Sequence, residues 1–152
     1  MRTMLALLTL VAATTVRAQE MPIFDAHLHY SHDAWEVVPP KAFIDILKKS
    51  GIRRALVSSS NNEGTRMLQD VAADMIVPEL RPYRSRGEIS SWPRDPTVIP
   101  FLEDLLAKRK YVAIGEFHIY GADADLPNMR AVVQLAKKHG LLDRKSTRLN
   151  SS

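Results

Sequence analysis

Hydrophobic and polar positions along this chain switch repeatedly between two periods. Residues 23–30, IFDAHLHY, alternate at period two, so a strand here places Phe24, Ala26, Leu28 and Tyr30 on one face and Asp25, His27 and His29 on the other. The next stretch, PPKAFIDILKKSG, has Phe43, Ile44 and Leu47 at helical spacing, with Pro40 near its start and Gly51 as its stop. RRALVSSS predicts a second strand, and a helix follows around GTRMLQDVAAD. MIVPEL predicts a third strand that Pro78 makes short or irregular, and DPTVIPFLEDLLAKRK a helix with Pro100 near its beginning. YVAIGEFHIY predicts a fourth strand, and LPNMRAVVQLAKKHG a helix closed by Gly140. The predicted order is βαβαβαβα.

That alternation predicts an α/β fold with a parallel sheet and covering helices. No glycine-rich phosphate loop follows the first strand, which removes the dinucleotide-binding fingerprint of the open doubly wound sheet. Polar residues at the strand ends favour a closed barrel, whose sites lie at the C-terminal mouth. The expected architecture is the N-terminal half of a (β/α)8 TIM-type barrel, truncated after about four βα units, since a whole barrel takes about 250 residues. RPYRSRGEISSWPRDP is expected to form a long loop over the mouth after the third strand.

The two ends change how charge is read. Residues 1–18 have the pattern of a signal peptide: Arg2, then the apolar run MLALLTLVAA, then small residues before Gln19. Cleavage near Ala18 would give an exported protein, periplasmic or secreted. The apolar run is too short for a spanning anchor of about 20 residues. Residues 143–152, DRKSTRLNSS, lack apolar periodicity, and back-translation gives a common sequencing-adapter sequence, so this tail is expected to be foreign and the natural domain to occupy residues 19–142. The net charge of +4 then resides wholly in the leader and the tail, leaving residues 19–142 neutral, and nucleic acid is excluded as a partner on that ground. With 45% hydrophobic and 25% charged residues the chain has the balance of a globular domain. With no cysteine, disulfides, thiolate metal sites and cysteine nucleophiles are excluded, so any metal must be held by nitrogen and oxygen.

DAHLHY on a first strand at the head of a βα series resembles the amidohydrolase superfamily of metal-dependent hydrolases, whose hallmark is a His-x-His pair ending the first barrel strand. AIGEFHIYG on the fourth strand resembles the glutamate-bearing strand of the amidohydrolase-related and TatD-like branches. The resemblance covers residues 23–142. The strand geometry agrees with it: imidazoles at i and i+2 on one face converge on a single ion, a geometry suited to zinc and other divalent first-row metals. His27 and His29 are therefore expected ligands of a divalent metal, with zinc first. The resemblance implies that Glu116 bridges or completes the metal site; the alternative is a carboxylate that orients a ligand histidine. Asp25, His118 and Arg81 are candidates for supporting the ligands or contacting substrate. Asp25 either orients a histidine or caps the strand, His118 either meets substrate or packs, and Arg81 and Arg84 either hold a substrate carboxylate or phosphate or are ordinary surface arginines. His32 and Asp33 read as solvated loop residues, and Lys108, Arg109 and Lys110 as a solvated helix end. SSSNNEG carries no nucleophile-elbow pattern and reads as a strand-to-helix loop.

The implied chemistry is metal-assisted hydrolysis of a C–N, C–O or P–O bond in a small molecule, the cation lowering the pKa of its water toward ~7. In the superfamily the base is an aspartate ending the eighth strand, and further histidine ligands come from the fifth and sixth strands. The catalytic base is thus expected beyond Leu142. The resemblance assigns activity to the full-length parent, with negligible turnover for this chain, and a half barrel with unpaired edges is not expected to fold stably. Two alternatives remain: a metal-dependent decarboxylase of the same superfamily, and an exported binding protein without catalysis.

Overall fold

The computed structural model describes residues 21–119 and 121–147. The expected signal peptide and the last five residues of the expected foreign tail lie outside them. The elements are β1 (Ile23–Leu28), α1 (His32–Trp35), α2 (Pro40–Lys49), β2 (Ile52–Ser58), α3 (Glu63–Val71), β3 (Ile76–Leu80), α4 (Val98–Lys108), β4 (Ala113–Ile119), α5 (Pro127–His139) and β5 (Leu142–Thr147), with 3-10 turns at Arg86–Glu88, Trp92–Arg94 and Gly121–Asp125. The predicted strands and helices form, and the fold is α/β. All strands are parallel and lie in the order β1-β2-β3-β4-β5, so each βα unit adds one strand beside the last without a reversal.

The sheet is curled. In a flat sheet four strand spacings would separate β1 from β5 by about 19 Å. The Arg144 guanidinium on β5 nevertheless donates to the Ala26 carbonyl on β1. One side chain therefore links the two edges across the inner face.

Two hydrophobic clusters lie on the helix side. Tyr30, Ile44, Leu47, Ala55, Val57, Leu68, Met75 and Ile76 join β1–β3 to α2 and α3. The larger cluster packs β3 and β4 against α4, α5 and the 81–97 loop, with Trp92 edge-on to Phe117 at 5.2 Å between centroids. β1 does not keep the expected alternation: the irregularity between Asp25 and Leu28 places Asp25 beside Ala55 of the helix-side cluster and not on the histidine face, and Phe24, beside the exposed Arg54, is 52% exposed, while Tyr30 just after the strand is buried.

Three features depart from the sequence reading. β5 forms where no further strand was expected, because the crossover through α5 returns the chain to the free edge of β4 and ladder pairing uses backbone groups, with no need of apolar periodicity. The 81–97 loop reaches the mouth, where Arg81, Tyr83, Arg86 and Ile89 line the cleft, but it is not only a cover: β3 pairs with β4 only through Glu79↔Ala113 and Leu80↔Ile114, and Tyr83 and Trp92 fill the space beyond, both fully buried. Asp33 lies in the short helix α1 and pairs with Arg86 across the mouth. Pro78 fits a strand of five residues and pairs in register with Val57. Among the described residues no helix is long and apolar enough to cross a membrane.

Gly64 opens α3 directly against the loop after β1. A Cβ there would stand 1.6 Å from the Tyr30 carbonyl oxygen and 2.9 Å from the Trp35 ring. Overpacking of this kind costs about 1–3 kcal/mol. Gly64→Ala is accordingly expected to lower stability by about 2–3 kcal/mol in urea denaturation followed by tryptophan fluorescence; a loss below about 0.5 kcal/mol would contradict this packing.

Candidate metal centre

The two strands that carry the expected ligands each bear a bulge at the ligand. Asp25↔Ala55 is followed by Leu28↔Val57, three residues against two, so β1 has an extra residue around His27. Ile114↔Asp143 is followed by Phe117↔Lys145, so β4 has an extra residue around Glu116. Bulges re-aim side chains. Here Ile114 and Phe117 both pack in the outer cluster, which leaves Glu116 free to point into the mouth beside His118. Gly115 makes the β4 bulge possible: its φ is +152°, and a Cβ would meet the Arg144 carbonyl oxygen at 2.4 Å.

The result is a tight triangle. His27 Nε2 lies 2.9 Å and His29 Nε2 3.1 Å from the same carboxylate oxygen, Glu116 Oε2, and the two Nε2 atoms are 2.9 Å apart. These three are the group among the described residues whose donor atoms converge as metal ligands must. Zinc–nitrogen and zinc–oxygen bonds of about 2.0–2.2 Å put tetrahedral ligands roughly 3.3–3.5 Å apart. The triangle therefore accepts a small divalent ion after an outward movement of a few tenths of an ångström.

Each corner is held from behind. His29 Nδ1 donates to the Ser58 carbonyl at 2.8 Å and sits 3.1 Å from the Ser58 hydroxyl, which fixes the tautomer with a lone pair on Nε2. Burial holds the His29 imidazole below its ordinary pKa, outweighing the Ser58 hydrogen bond, and so keeps it in the neutral form a metal requires. Burial pushes the Glu116 carboxyl upward, but His27, His29, Arg81 and His118 together outweigh it and hold the group below the usual carboxylate range. The Glu116 carbonyl accepts from Arg81 Nε at 3.0 Å and from the Tyr83 hydroxyl at 3.2 Å. The carbonyl of His118 accepts from Trp92 Nε1 at 3.4 Å. Side chains of the 81–97 loop thus take β4 carbonyls that lie beyond the end of β3.

The remaining predicted residues divide. Arg81 is beside the triangle, its Nη2 3.4 Å from Glu116 Oε2, and His118 lines the same cleft. Asp25 does not touch a histidine ring; its Oδ1 accepts from the His27 backbone N–H at 3.0 Å, inside the bulge. Arg84 is not in the cleft and binds Glu88, Asp95 and Thr97. The cleft itself, about 680 Å³, is walled by residues within or just after four successive strands: His27 and His29, Ser60, Arg81 and Tyr83, and Glu116 and His118.

Sequence reasoning missed three residues. Ser58 supplies the carbonyl for His29, and the rule that ligand histidines donate their second nitrogen could have prompted a search for it. Glu79 is 1% exposed inside the sheet, where burial raises its pKa against the opposing pull of Arg144; its carboxylate ion-pairs with Arg144 Nε at 3.0 Å. Asn62 clamps the Arg81 backbone: Oδ1 accepts the Arg81 N–H at 2.9 Å and Nδ2 donates to its carbonyl at 3.2 Å. Asn61 and Asn62 both have left-handed backbones, φ 66° and 64°, in a segment also tied by Asn61 N–H to the Tyr83 carbonyl at 3.2 Å. Adjacent asparagines, which enter the left-handed region more readily than most residues, hint in SSSNNEG at the backbone but not at the Arg81 partner.

Asn62→Ala leaves a buried N–H and a buried carbonyl without partners and keeps a left-handed residue, for an expected loss of about 2–4 kcal/mol. Asn62→Gly removes the strain but not the lost hydrogen bonds, so in urea denaturation it should fall between Ala and the native residue. Equal stability of all three would contradict the clamp. No protein-family model, curated protein or solved structure matches this chain.

Proposed function

We propose that this chain is the first part of a metal-dependent hydrolase of the amidohydrolase type, its sequential parallel strands β1–β4 being the opening strands of a (β/α)8 barrel. The observation that carries the reading is the convergence of His27 Nε2, His29 Nε2 and Glu116 Oε2 within 3.1 Å. They meet where β1 ends, against the middle of β4, and open toward the C-terminal mouth, where barrel enzymes hold their reacting groups. A strand order without reversal supports a barrel over a doubly wound sheet, whose order reverses at a switch point.

His27, His29 and Glu116 would hold a divalent ion, zinc first. When bound, such an ion supplies Lewis acidity and lowers the pKa of its water toward ~7. The residues of the chain do the rest. Ser58 keeps the His29 lone pair aimed at the ion site, while Arg81 and Tyr83 fix the Glu116 backbone. The 81–97 loop and α1 wall the cleft over a small-molecule substrate. We assign no general base among the described residues; the reading places it on later strands of a longer parent, and gives this chain negligible turnover by itself. The leader pattern supports action outside the cytoplasm. A decarboxylase would use the same ligand set, and Arg81 beside the ligands is the observation that favours it; carbon dioxide release without consumption of water separates the two.

Isothermal titration with Zn²⁺ tests the reading. One ion per chain is expected, with His27→Ala and His29→Ala each weakening binding by at least the ~10–100-fold typical of lesser, outer-sphere losses. Undiminished zinc binding by both variants would overturn it.

A further inference from the structure

Arg81 presents a charge that the triangle cannot balance once it serves a metal. Its side chain is 8% exposed. Taking a charge out of water is costly unless it is paired and hydrogen-bonded. Among the described residues the carboxylate in contact with it is Glu116, through Oε2 at 3.4 Å, and that same oxygen is shared with His27 and His29. Glu79, the other buried carboxylate of the inner face, has Arg144 at 3.0 Å and feels the Arg81 charge without contacting it. At the rim, Arg86 and Asp33 neutralise each other. A dication held by two neutral imidazoles and Glu116 therefore leaves the cleft with a surplus of positive charge, and leaves Arg81 sharing its contacting carboxylate with the ion.

The guanidinium is also fixed in place. Asn62 holds its backbone at both N–H and carbonyl, Nε is committed to the Glu116 carbonyl, and the Tyr83 ring lies under it at 5.1 Å. A guanidinium held this way offers its remaining N–H groups in a preset direction, the arrangement that planar recognition of carboxylate or phosphoryl oxygens uses. Ser60 and His118 line the same cleft.

We propose that the cleft takes small molecules bearing an oxyanion, a carboxylate or a phosphoryl group, that Arg81 binds as a substrate-anchoring residue beside the metal. This rests on the metal reading above. The anchored group is separate from the bond that reacts, so it sets which substrates enter.

The test uses the whole chain at zinc saturation, titrated with benzoate, phenylphosphonate and benzamide, which share a ring and differ in the head group. Benzoate or phenylphosphonate is expected to bind at least ~10-fold more tightly than benzamide, the size of a charge-assisted hydrogen bond, and whichever anion is tighter identifies carboxylate or phosphoryl as the preferred group. Arg81→Gln should reduce anion binding at least ~10-fold and leave benzamide unchanged; Arg81→Lys, which keeps the charge without the fork, should fall between. Because zinc also attracts anions, an Arg81→Gln chain that binds zinc and still binds benzoate at native strength overturns the proposal while leaving the metal reading intact. If Arg81→Gln does not fold, the comparison of benzoate with benzamide on the native chain and on Arg81→Lys decides: equal binding of the two probes, or an unchanged Arg81→Lys, overturns the proposal. A chain that binds no zinc overturns both readings together.

Discussion

One carboxylate oxygen sets the geometry of the mouth. Glu116 Oε2 on β4 touches the imidazoles of His27 and His29 at the end of β1, although three strand spacings, about 14 Å in a flat sheet, lie between those strands. Contact at 3.1 Å or less goes with a sheet that curls and with a bulge at the ligand residue in both strands. Curl, bulges and ligand triangle are thus one constraint seen at three scales. The left-handed Asn61 and Asn62 belong to it as well, since they order the segment that fixes Arg81, and Arg81 fixes the backbone of Glu116.

The inner face of the sheet is where the chemistry of this chain is concentrated. The outer face is apolar and covered by helices, as in any βα fold. The inner face carries a small apolar layer, Leu56, Val77 and Ala113, together with His27, Ser58, Glu79, Glu116 and His118, whose placement there is costly unless they bind one another or a ligand. Ser58 with His29 and Arg81 with Glu116 meet that cost internally. The convergence of three metal-ligating atoms at one point does not, since two lone-pair nitrogens and a carboxylate oxygen repel unless a proton or a cation lies between them. This is the physical reason for reading the triangle as a cation site.

Much of this was legible in the sequence, for identifiable reasons. Period-two alternation in IFDAHLHY put His27 and His29 on one face, and helical spacing at Phe43, Ile44 and Leu47 gave α2, because both signals come from local repeats of burial. β5 was not legible, because LDRKST joins the sheet through its backbone and carries no repeat. The bulge at Gly115 was hidden because AIGEFHIY alternates acceptably without it. Asn62 was hidden because its partner is the backbone of a residue 19 positions away, a pairing that exists only once β2 and β3 lie side by side. Asp33, read as a solvated loop residue, pairs with an arginine 53 positions on for the same reason.

X-ray absorption at the zinc edge of the zinc-loaded chain tests the triangle most directly. The account expects a first shell containing two imidazole nitrogens and a carboxylate oxygen at about 2.0–2.2 Å, with the imidazole scattering lost in the His27→Ala, His29→Ala double variant. A shell of oxygen alone, or imidazole scattering that survives in the double variant, would contradict it.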